Sequence, residues 1–518
     1  MPPSASIESA PDWSERTRGA GQFSPSGDHD GRPLPLRTIA LGTIGSLMML
    51  LGALGAGGTL IHDPILGDGP LSALRYGHGR YIATAVLYAG FALLVWAWVR
   101  LGRGVLAHLV ESRGVLHAMA AWIAPMIVAP PLFTRDVYSY LGQGLLALNG
   151  LDPYGVGPAM LTGTIPENVH PTWQTTPAPY GPLFMGIAKG VILLSGHSII
   201  ANVIVMRLVL LTGLALLVLS LPGLVRHLGG RLPVALWLVA ASPMTVVQLV
   251  GGPHNDMLMI GLLAVGTLAV LDGRNATGIA LVSAAMAIKA TAGLALPFLV
   301  WIWASRYSGS LWRRFLHGLV PALAVFTAVF GSFTLLAKVG LGWLGALSAP
   351  GMIVNYLSAP TALGQAVHSL ASVFGELNIW PFVGTTRALG SLVLVAILVW
   401  NWWQAREGGP EAVRRAAIVL CCGALLSPVL LPWYLSWGLA MGAAFAWTPR
   451  ALSCVVGGSV LLILAYYPDG EEAMYNWPFM AVAAATAVVG ALSLVRFDPL
   501  GLSAPLRELV RGNPKVPS

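Results

Sequence analysis

Residues 199–223 read IIANVIVMRLVLLTGLALLVLSLPG, with one charged side chain, Arg207. A helix that crosses a bilayer needs about 20 apolar residues, with a range of roughly 17–25. This run meets that length and sets how the rest of the chain is read. Comparable runs lie at 37–60, 80–101, 115–133, 232–250, 257–271, 277–290, 292–305, 315–338, 383–403, 414–431, 433–448, 451–467 and 478–496. Composition agrees. Of 518 residues, 56% are hydrophobic and 10% charged, against roughly 25% charged in a typical soluble domain. Mean hydropathy is +0.73. Strand alternation of the membrane-barrel type is missing. The expectation is an all-α, polytopic membrane protein, a bundle of about 12–14 transmembrane helices.

The ends follow from the same reading. Residues 1–36 are rich in Pro, Gly, Ser and charge and read as a disordered cytoplasmic tail. Residues 37–498 form the membrane domain, and 499–518 a short cytoplasmic tail. The first apolar run is too long for a signal-peptide core and lacks a small-residue cleavage site, so it reads as the first span. Three cysteines make no disulfide framework. Cys421, Cys422 and Cys454 sit in apolar runs as small core residues.

The net charge of +8 concerns topology rather than nucleic acid, because the basic residues lie mostly in short loops. With a cytoplasmic N-terminus, most of the 29 Lys and Arg fall on the cytoplasmic side of a plasma-membrane protein. The exceptions are Arg75, Arg80, Arg135, Lys189, Arg207, Lys289, Lys338 and Arg387. A crossing by 181–197 would flip every later loop and put Arg226 and Arg231 outside. That segment is therefore expected to be re-entrant or interfacial, a backbone tolerated at depth when it is buried in protein or lines a wet cavity.

Four polar clusters then fall on the outer face. The first is the long loop 134–180. It holds Arg135-Asp136-Val137-Tyr138-Ser139-Tyr140-Leu141, Gly150-Leu151-Asp152-Pro153-Tyr154 and Ala178-Pro179-Tyr180-Gly181-Pro182. A loop of that length in a tight-looped protein is functional or disordered, and its aromatic and Pro content favours packing. Apolar residues at 137, 141, 145 and 148 predict an amphipathic helix on the membrane surface. Asp136 stands at its start, either as an N-cap or as a general base at a cavity mouth. The second cluster is Gly252-Pro253-His254-Asn255-Asp256. It reads as a capping turn or as a polar wall that hydrogen-bonds a sugar or phosphate. His254 has no second ligand at metal-binding spacing, and no metal site is expected.

The third cluster is Ile288-Lys289-Ala290-Thr291-Ala292-Gly293. A Lys inside an apolar run costs about 2.5–3.5 kcal/mol on insertion scales, so it faces a wet cavity or a partner, or snorkels to the interface. As a phosphate ligand it gains from the helix opening that follows. Arg387 is a second phosphate candidate, and Arg207 is expected to pair with an acid or a ligand. The fourth cluster, Asp469, Glu471 and Glu472, reads as a solvated acidic turn. Tyr138, Tyr140, Tyr154, Trp173, Tyr180, Trp433, Tyr434 and Trp437 read mostly as an interfacial aromatic belt, with a few available to stack on sugar rings.

A carboxylate base and phosphate-binding cations on the non-cytoplasmic face restrict the substrates. Nucleotide sugars are not available there, whereas a lipid-linked sugar phosphate can enter laterally between helices. These motifs, with Gly252 to Met259 and Ile288 to Phe298 in this order, resemble one family over residues 36 to 500. It is the actinobacterial polyprenol-phosphate-mannose-dependent α-(1→6)-mannopyranosyltransferases of lipomannan and lipoarabinomannan synthesis. The resemblance implies a GT-C-type bundle with the catalytic acidic residue in the first large outer loop, matched here by Asp136. It implies polyprenyl-phosphate mannose as donor, a mannosylated glycolipid as acceptor, membrane lipids as surroundings and no cofactor. It also implies an inverting displacement. Lys289 and Arg387 would hold the donor phosphate, and Asp152, Tyr180, His254, Asn255 and Asp256 the sugar. One departure is that residue 138 is Tyr, so no Asp-x-Asp pair exists; this fits metal-independent transfer, with a divalent cation left open. Two alternatives remain. A transferase of arabinofuranose shares the logic. A lipid-linked sugar flippase would show inverted repeats and midplane sites.

Overall fold

The computed structural model describes residues 33–496, except 197, together with residue 499. Most of the expected tails, 1–32 and nearly all of 499–518, lie outside the described residues. The membrane domain from Pro35 onward is one compact unit. Among the described residues it is helical and contains no extended sheet; two isolated bridges join Gly229 to Phe445 and Tyr466 to Glu472.

In chain order the principal helices are α1 (Leu36–Ala56), α2 (Gly77–Leu106), α3 (Ser112–Ile123), α4 (Asp136–Leu148), α5 (Pro182–Ser195) and α6 (Ile199–Leu228). Then come α7 (Leu232–Val239), α8 (Asp256–Leu271), α9 (Asn275–Met286), α10 (Leu296–Ala304), α11 (Leu311–Ala337) and α12 (Ala359–Ala371). The last are α13 (Trp380–Gln404), α14 (Gly409–Leu426), α15 (Leu435–Gly442), α16 (Pro449–Ile463) and α17 (Trp477–Val495). Six of them, α1, α2, α6, α11, α13 and α17, are long and apolar enough to cross a membrane. A seventh span arises if α7 and the π-helical stretch Met244–Gly251, bent by 47°, are counted together. Of the other expected runs, 257–271, 277–290, 292–305 and 451–467 coincide with shorter apolar helices, and 414–431 with the 18-residue α14.

The main helix pairs are α1 on α2, α6 on α8, α8 on α9, α12 on α13 and α16 on α17. The α6–α8 pair runs parallel, with Gly213 against Met257 and Leu258 and His227 beside Asp272. Small residues of α1 (Gly45, Gly52, Ala53) face α2, which lets the backbones approach closely without a hydrophobic driving force. Deeper in the bundle, Trp98 of α2 and Trp237 of α7 stack at 5.2 Å. Each indole N–H donates to the other residue's carbonyl, at 3.0 and 2.8 Å, so two buried donors are satisfied at once. By contrast α11 and α13 keep their apolar side chains outward, Leu335 and Leu392 among them. In water such a surface would be a large unpaired patch; against lipid it is the expected outer face. The molecule is an all-α, multi-pass membrane protein.

Two sequence expectations change at this level. The helix over 137–148 exists and begins at Asp136, but it does not lie on a surface. Val137, Tyr138, Tyr140, Leu141, Gln143 and Leu146 are all buried, with α4 packed on α5 and enclosed by its own loop. The aromatic belt also dissolves. Tyr138, Tyr140, Tyr154, Trp433, Tyr434 and Trp437 are buried within protein. Their rings fill the bundle instead of marking the lipid boundary.

Candidate active site

Three chain crossings assemble the site. The first is Leu132–Asp136. Phe133 sits at φ +58°, a left-handed conformation that a bulky residue rarely adopts, and its N–H donates to the Pro468 carbonyl at 2.9 Å. Asp136 then opens α4. Its own N–H donates to Thr134 Oγ1 at 3.0 Å, and the helix has no side-chain cap. The Asp136 carboxylate is thus not engaged as an N-cap.

The second crossing is Gly251–Asp256. Gly252 lies against the Leu132 carbonyl and the Thr134 side chain, and a Cβ there would collide with both. This contact sets His254 beside Asp136, with His254 Nδ1 3.7 Å from Asp136 Oδ2. The third crossing is Tyr180–Pro182 against Ala287–Lys289. The Gly181 N–H donates to the Ile288 carbonyl at 3.1 Å, and a Cβ at Gly181 would strike the Ala287 backbone. Lys289 is extended there, between α9 and a 3-10 turn (Ala290–Ala295) that leads into α10. This is the helix break expected from the sequence.

Asp136, Tyr180 and Lys289 line one cavity of about 400 Å³. Its walls include Trp173, Trp433, Tyr434 and Trp437, and apolar residues such as Leu294, Leu347, Leu394 and Leu426. Lys289 Nζ lies 2.8 and 2.9 Å from the two oxygens of Asp256. It also sits 4.7 and 5.4 Å from the ring centroids of Tyr434 and Trp437, a cation–π arrangement. Burial raises the Asp136 carboxyl to about 6. Lys289 opposes that rise, Asp256 adds to it, and hydrogen bonds from Trp173 and Thr134 oppose it. A base poised near 6 is largely ionised at neutral pH and still basic enough to take a proton.

A second cavity, of about 460 Å³, meets the first at Asp136, Trp173, Leu431 and Trp433. It is bounded by Thr134, Arg135, His170, Thr172, Tyr466, Glu471 and Glu472. The acidic turn is solvent-exposed at Glu471 and Glu472, as read from the sequence, and it also bounds this cavity. It is held by the bridge Tyr466–Glu472, by an Arg80–Asp469 ion pair at 2.9 Å and by the Pro468 contact to Phe133. Among the described residues, no group of three or more His, Cys, Asp or Glu is placed to hold a metal ion.

The other sequence candidates stand apart from the first cavity. Asp256 is fully buried; besides Lys289 it accepts the Trp437 indole N–H at 2.5 Å, so it positions the lysine rather than a sugar. His254 is fully buried behind Trp433, stacked at 3.4 Å, with Tyr140 Oη 3.3 Å from its Nδ1. Burial, and secondarily Lys289, pushes its pKa well below the ordinary value, so it is neutral. Asn255 is equally buried, and its side-chain amide has no protein partner among the described residues. Asp152 lies on an exposed turn, where its Oδ1 accepts the Tyr154 N–H at 3.0 Å. It caps that turn and lines neither cavity. Arg387 donates to Thr361 Oγ1 at 2.9 Å and to the carbonyls of Gly351 and Ile353. It fixes the backbone behind the cavity wall.

Among the described residues Arg207 has no acidic partner. Its guanidinium donates to the carbonyls of Ile127, Ala129, Val250 and Gly251. The walls missed in the sequence are Ser348–Gly351 and Ser427–Leu431. The second carried a signal, since Pro428 and Pro432 interrupt an apolar run next to two aromatics.

The Asp136 carboxylate and the Lys289 ammonium share a cavity inside a helical bundle with an apolar outer face, a frame that suits a membrane glycosyltransferase. Sequence comparison agrees. The N-terminal domain model of the α-(1→6)-mannopyranosyltransferases matches residues 39–305, and the MptB C-terminal domain model matches residues 360–496. The chain belongs to this family. It is 38% identical to α-(1→6)-mannopyranosyltransferase A of Mycobacterium tuberculosis, over 88% of this chain and 89% of that protein. It is 31% identical to the A enzyme of Corynebacterium glutamicum, over 87% and 96%. The identity to the B enzyme of C. glutamicum is 27%, over 78% and 72%. No solved structure matches.

Proposed function

We propose that this chain transfers mannose from polyprenyl-phosphate mannose to an α-(1→6)-mannan backbone on a glycolipid, at the outer face of the plasma membrane. The observation that carries the reading is the single cavity lined by Asp136 and Lys289. Its apolar walls suit a lipid-linked donor, and its ammonium suits that donor's phosphate.

The step is one inverting displacement. Asp136 accepts the proton of the acceptor 6-hydroxyl. The hydroxyl oxygen bonds to C1 of β-mannosyl phosphate as the C1–O bond to phosphate breaks, giving the α-linkage. The electron pair leaves with polyprenyl phosphate, a stable anion that needs no general acid. Lys289 stabilises the growing charge, so the reading needs no metal. Asp256, Trp437 and Tyr434 hold the ammonium in place. Tyr180, Trp173 and Trp433 supply flat faces beside the sugar.

The test is transfer of labelled mannose from the lipid donor to a synthetic α-(1→6)-dimannoside by purified wild type and Asp136→Asn. The variant is expected to lose about 10²–10⁴-fold in kcat with donor KM retained, and a chelator to leave the wild type unchanged. Equal rates in the two proteins would remove Asp136 from the chemistry.

A further inference from the structure

The second cavity shares Asp136, Trp173, Leu431 and Trp433 with the first but differs from it in charge. The first holds an ammonium and lipid-compatible walls. The second holds the carboxylates of Asp136, Glu471 and Glu472. Its one cation, Arg135, is engaged with the carbonyls of Asn168 and Thr59 at 3.3 and 3.1 Å. Aromatic faces come from Trp173, Trp433 and Tyr466. The Trp433 indole is 4% exposed, its N–H has no partner among the described residues, and the ring stands in the wall of both cavities.

Ionised carboxylates only accept hydrogen bonds, so they match a ligand rich in hydroxyl donors. They repel phosphate and carboxylate groups. Aromatic rings add flat apolar faces with a polar handle. Together these groups describe a site for an uncharged polyol.

The outer wall is rigid. In the turn 465–473, the Tyr467 N–H donates to the Glu471 carbonyl at 2.8 Å and the Ala473 N–H to the Ala465 carbonyl at 3.0 Å. Gly470, at φ +96°, packs on the Thr134 backbone. His170 Nδ1 accepts the Thr172 N–H at 3.3 Å. Its Nε2 lies 3.5 Å from Glu471 Oε1.

We propose that the polar cavity is the acceptor site and that Glu471 and Glu472 read the hydroxyls of an uncharged glycan whose terminal 6-hydroxyl reaches Asp136. The assignment rests on the mannosyl-transfer reading for the identity of the glycan. It extends that reading by separating the donor and acceptor entrances. The donor enters on the Lys289 side. The glycan enters past the turn 465–473, and the two meet at the carboxylate shared by both cavities.

The experiment titrates an α-(1→6)-dimannoside into purified full-length protein in nanodiscs, following tryptophan fluorescence. Two ligands are compared, the neutral dimannoside and one phosphorylated at its reducing end. The proteins are wild type and the double variant Glu471→Gln/Glu472→Gln. Losing hydrogen bonds to charged acceptors is expected to weaken neutral dimannoside binding about tenfold or more in the double variant. The acceptor KM should rise by the same factor, with donor KM retained. Wild type is expected to bind the phosphorylated ligand at least about tenfold more weakly than the neutral one, with the gap narrowing in the variant.

Equal affinity of wild type and variant for the neutral glycan would overturn the proposal. So would equal affinity of wild type for the two ligands, a readout that needs no variant to fold. Failure of the transfer reading looks different: wild type would bind the dimannoside and discriminate against its phosphorylated form, yet move no mannose.

Discussion

Arg207, in the first third of α6, and Lys289, at the break after α9, are both cations in apolar sequence, and they finish in opposite environments. Arg207 is buried and bound to four backbone carbonyls, two from the segment before α4 and two at the end of the π-helical stretch. The helix is interrupted there, so its buried carbonyls need other donors, and Gly251 accepts the Leu132 N–H as well. Lys289 is paired with a carboxylate, boxed by two aromatic rings and left facing a cavity. A cation at depth is therefore not a site by itself. Its partners decide: carbonyls make it a structural clamp, whereas a carboxylate and an open face suit it to the proposed role at the donor phosphate.

Three measurements break or sharpen this contrast. The largest effect is expected at Lys289. Lys289→Met should lower kcat/KM about 10²–10³-fold, the scale of losing one preorganised electrostatic donor. It also leaves Asp256 as an uncompensated buried charge, a loss of about 3–5 kcal/mol in stability. The double variant Lys289→Met/Asp256→Asn separates the two effects. It should recover the melting temperature without recovering transfer, and recovery of both would make Lys289 another clamp.

Arg207→Met should behave in the reverse way. Each orphaned carbonyl costs about 1–3 kcal/mol, so the yield of folded protein should fall sharply. The turnover of the fraction that folds should stay within a few-fold of wild type. A properly folded Arg207→Met protein with transfer abolished would erase the distinction between the two cations.

The smallest effect is the titration of Asp136 between them. Its carboxyl is raised from 3.8 to about 6, mainly by burial. As the base it must be ionised, so kcat/KM should rise with pH through about 6 and then level off. Stability has the opposite sign. A carboxyl with a raised folded pKa holds its proton longer when folded, so stability is lost as pH rises from about 4 to 6. Asp136→Asn should therefore be more stable than wild type at pH 7, by about 3 kcal/mol at most, and melt at a higher temperature. A flat pH profile would assign the proton to another group.

Much of this was legible in the sequence, for local reasons. Long apolar runs showed the multi-pass helical class, because span length is set by bilayer thickness. Apolar spacing placed a helix starting at Asp136, and Lys289 stood out because a cation in an apolar run demands a partner. Lys289 could not be given its partner, since Asp256 lies 33 positions away, in a motif read as a sugar wall. The burial of α4 was equally hidden. Apolar periodicity shows which face avoids water but not whether protein or lipid covers the rest.

What the sequence determined alone was the membrane class, the family and the four polar clusters from which the site is built. The tertiary structure alone decided which of those clusters meet. It moved the aromatics from a belt into cavity walls, retired Asp152 to a surface turn and Arg387 to a backbone clamp, and turned the acidic loop at 469–472 into the wall of a second cavity. The physical reason is range. Helix formation and membrane insertion respond to neighbours within about 20 residues. A cavity shared by Asp136, Lys289 and Trp433 exists only once helices far apart in the chain have packed, and packing is set by the shapes of all the side chains together.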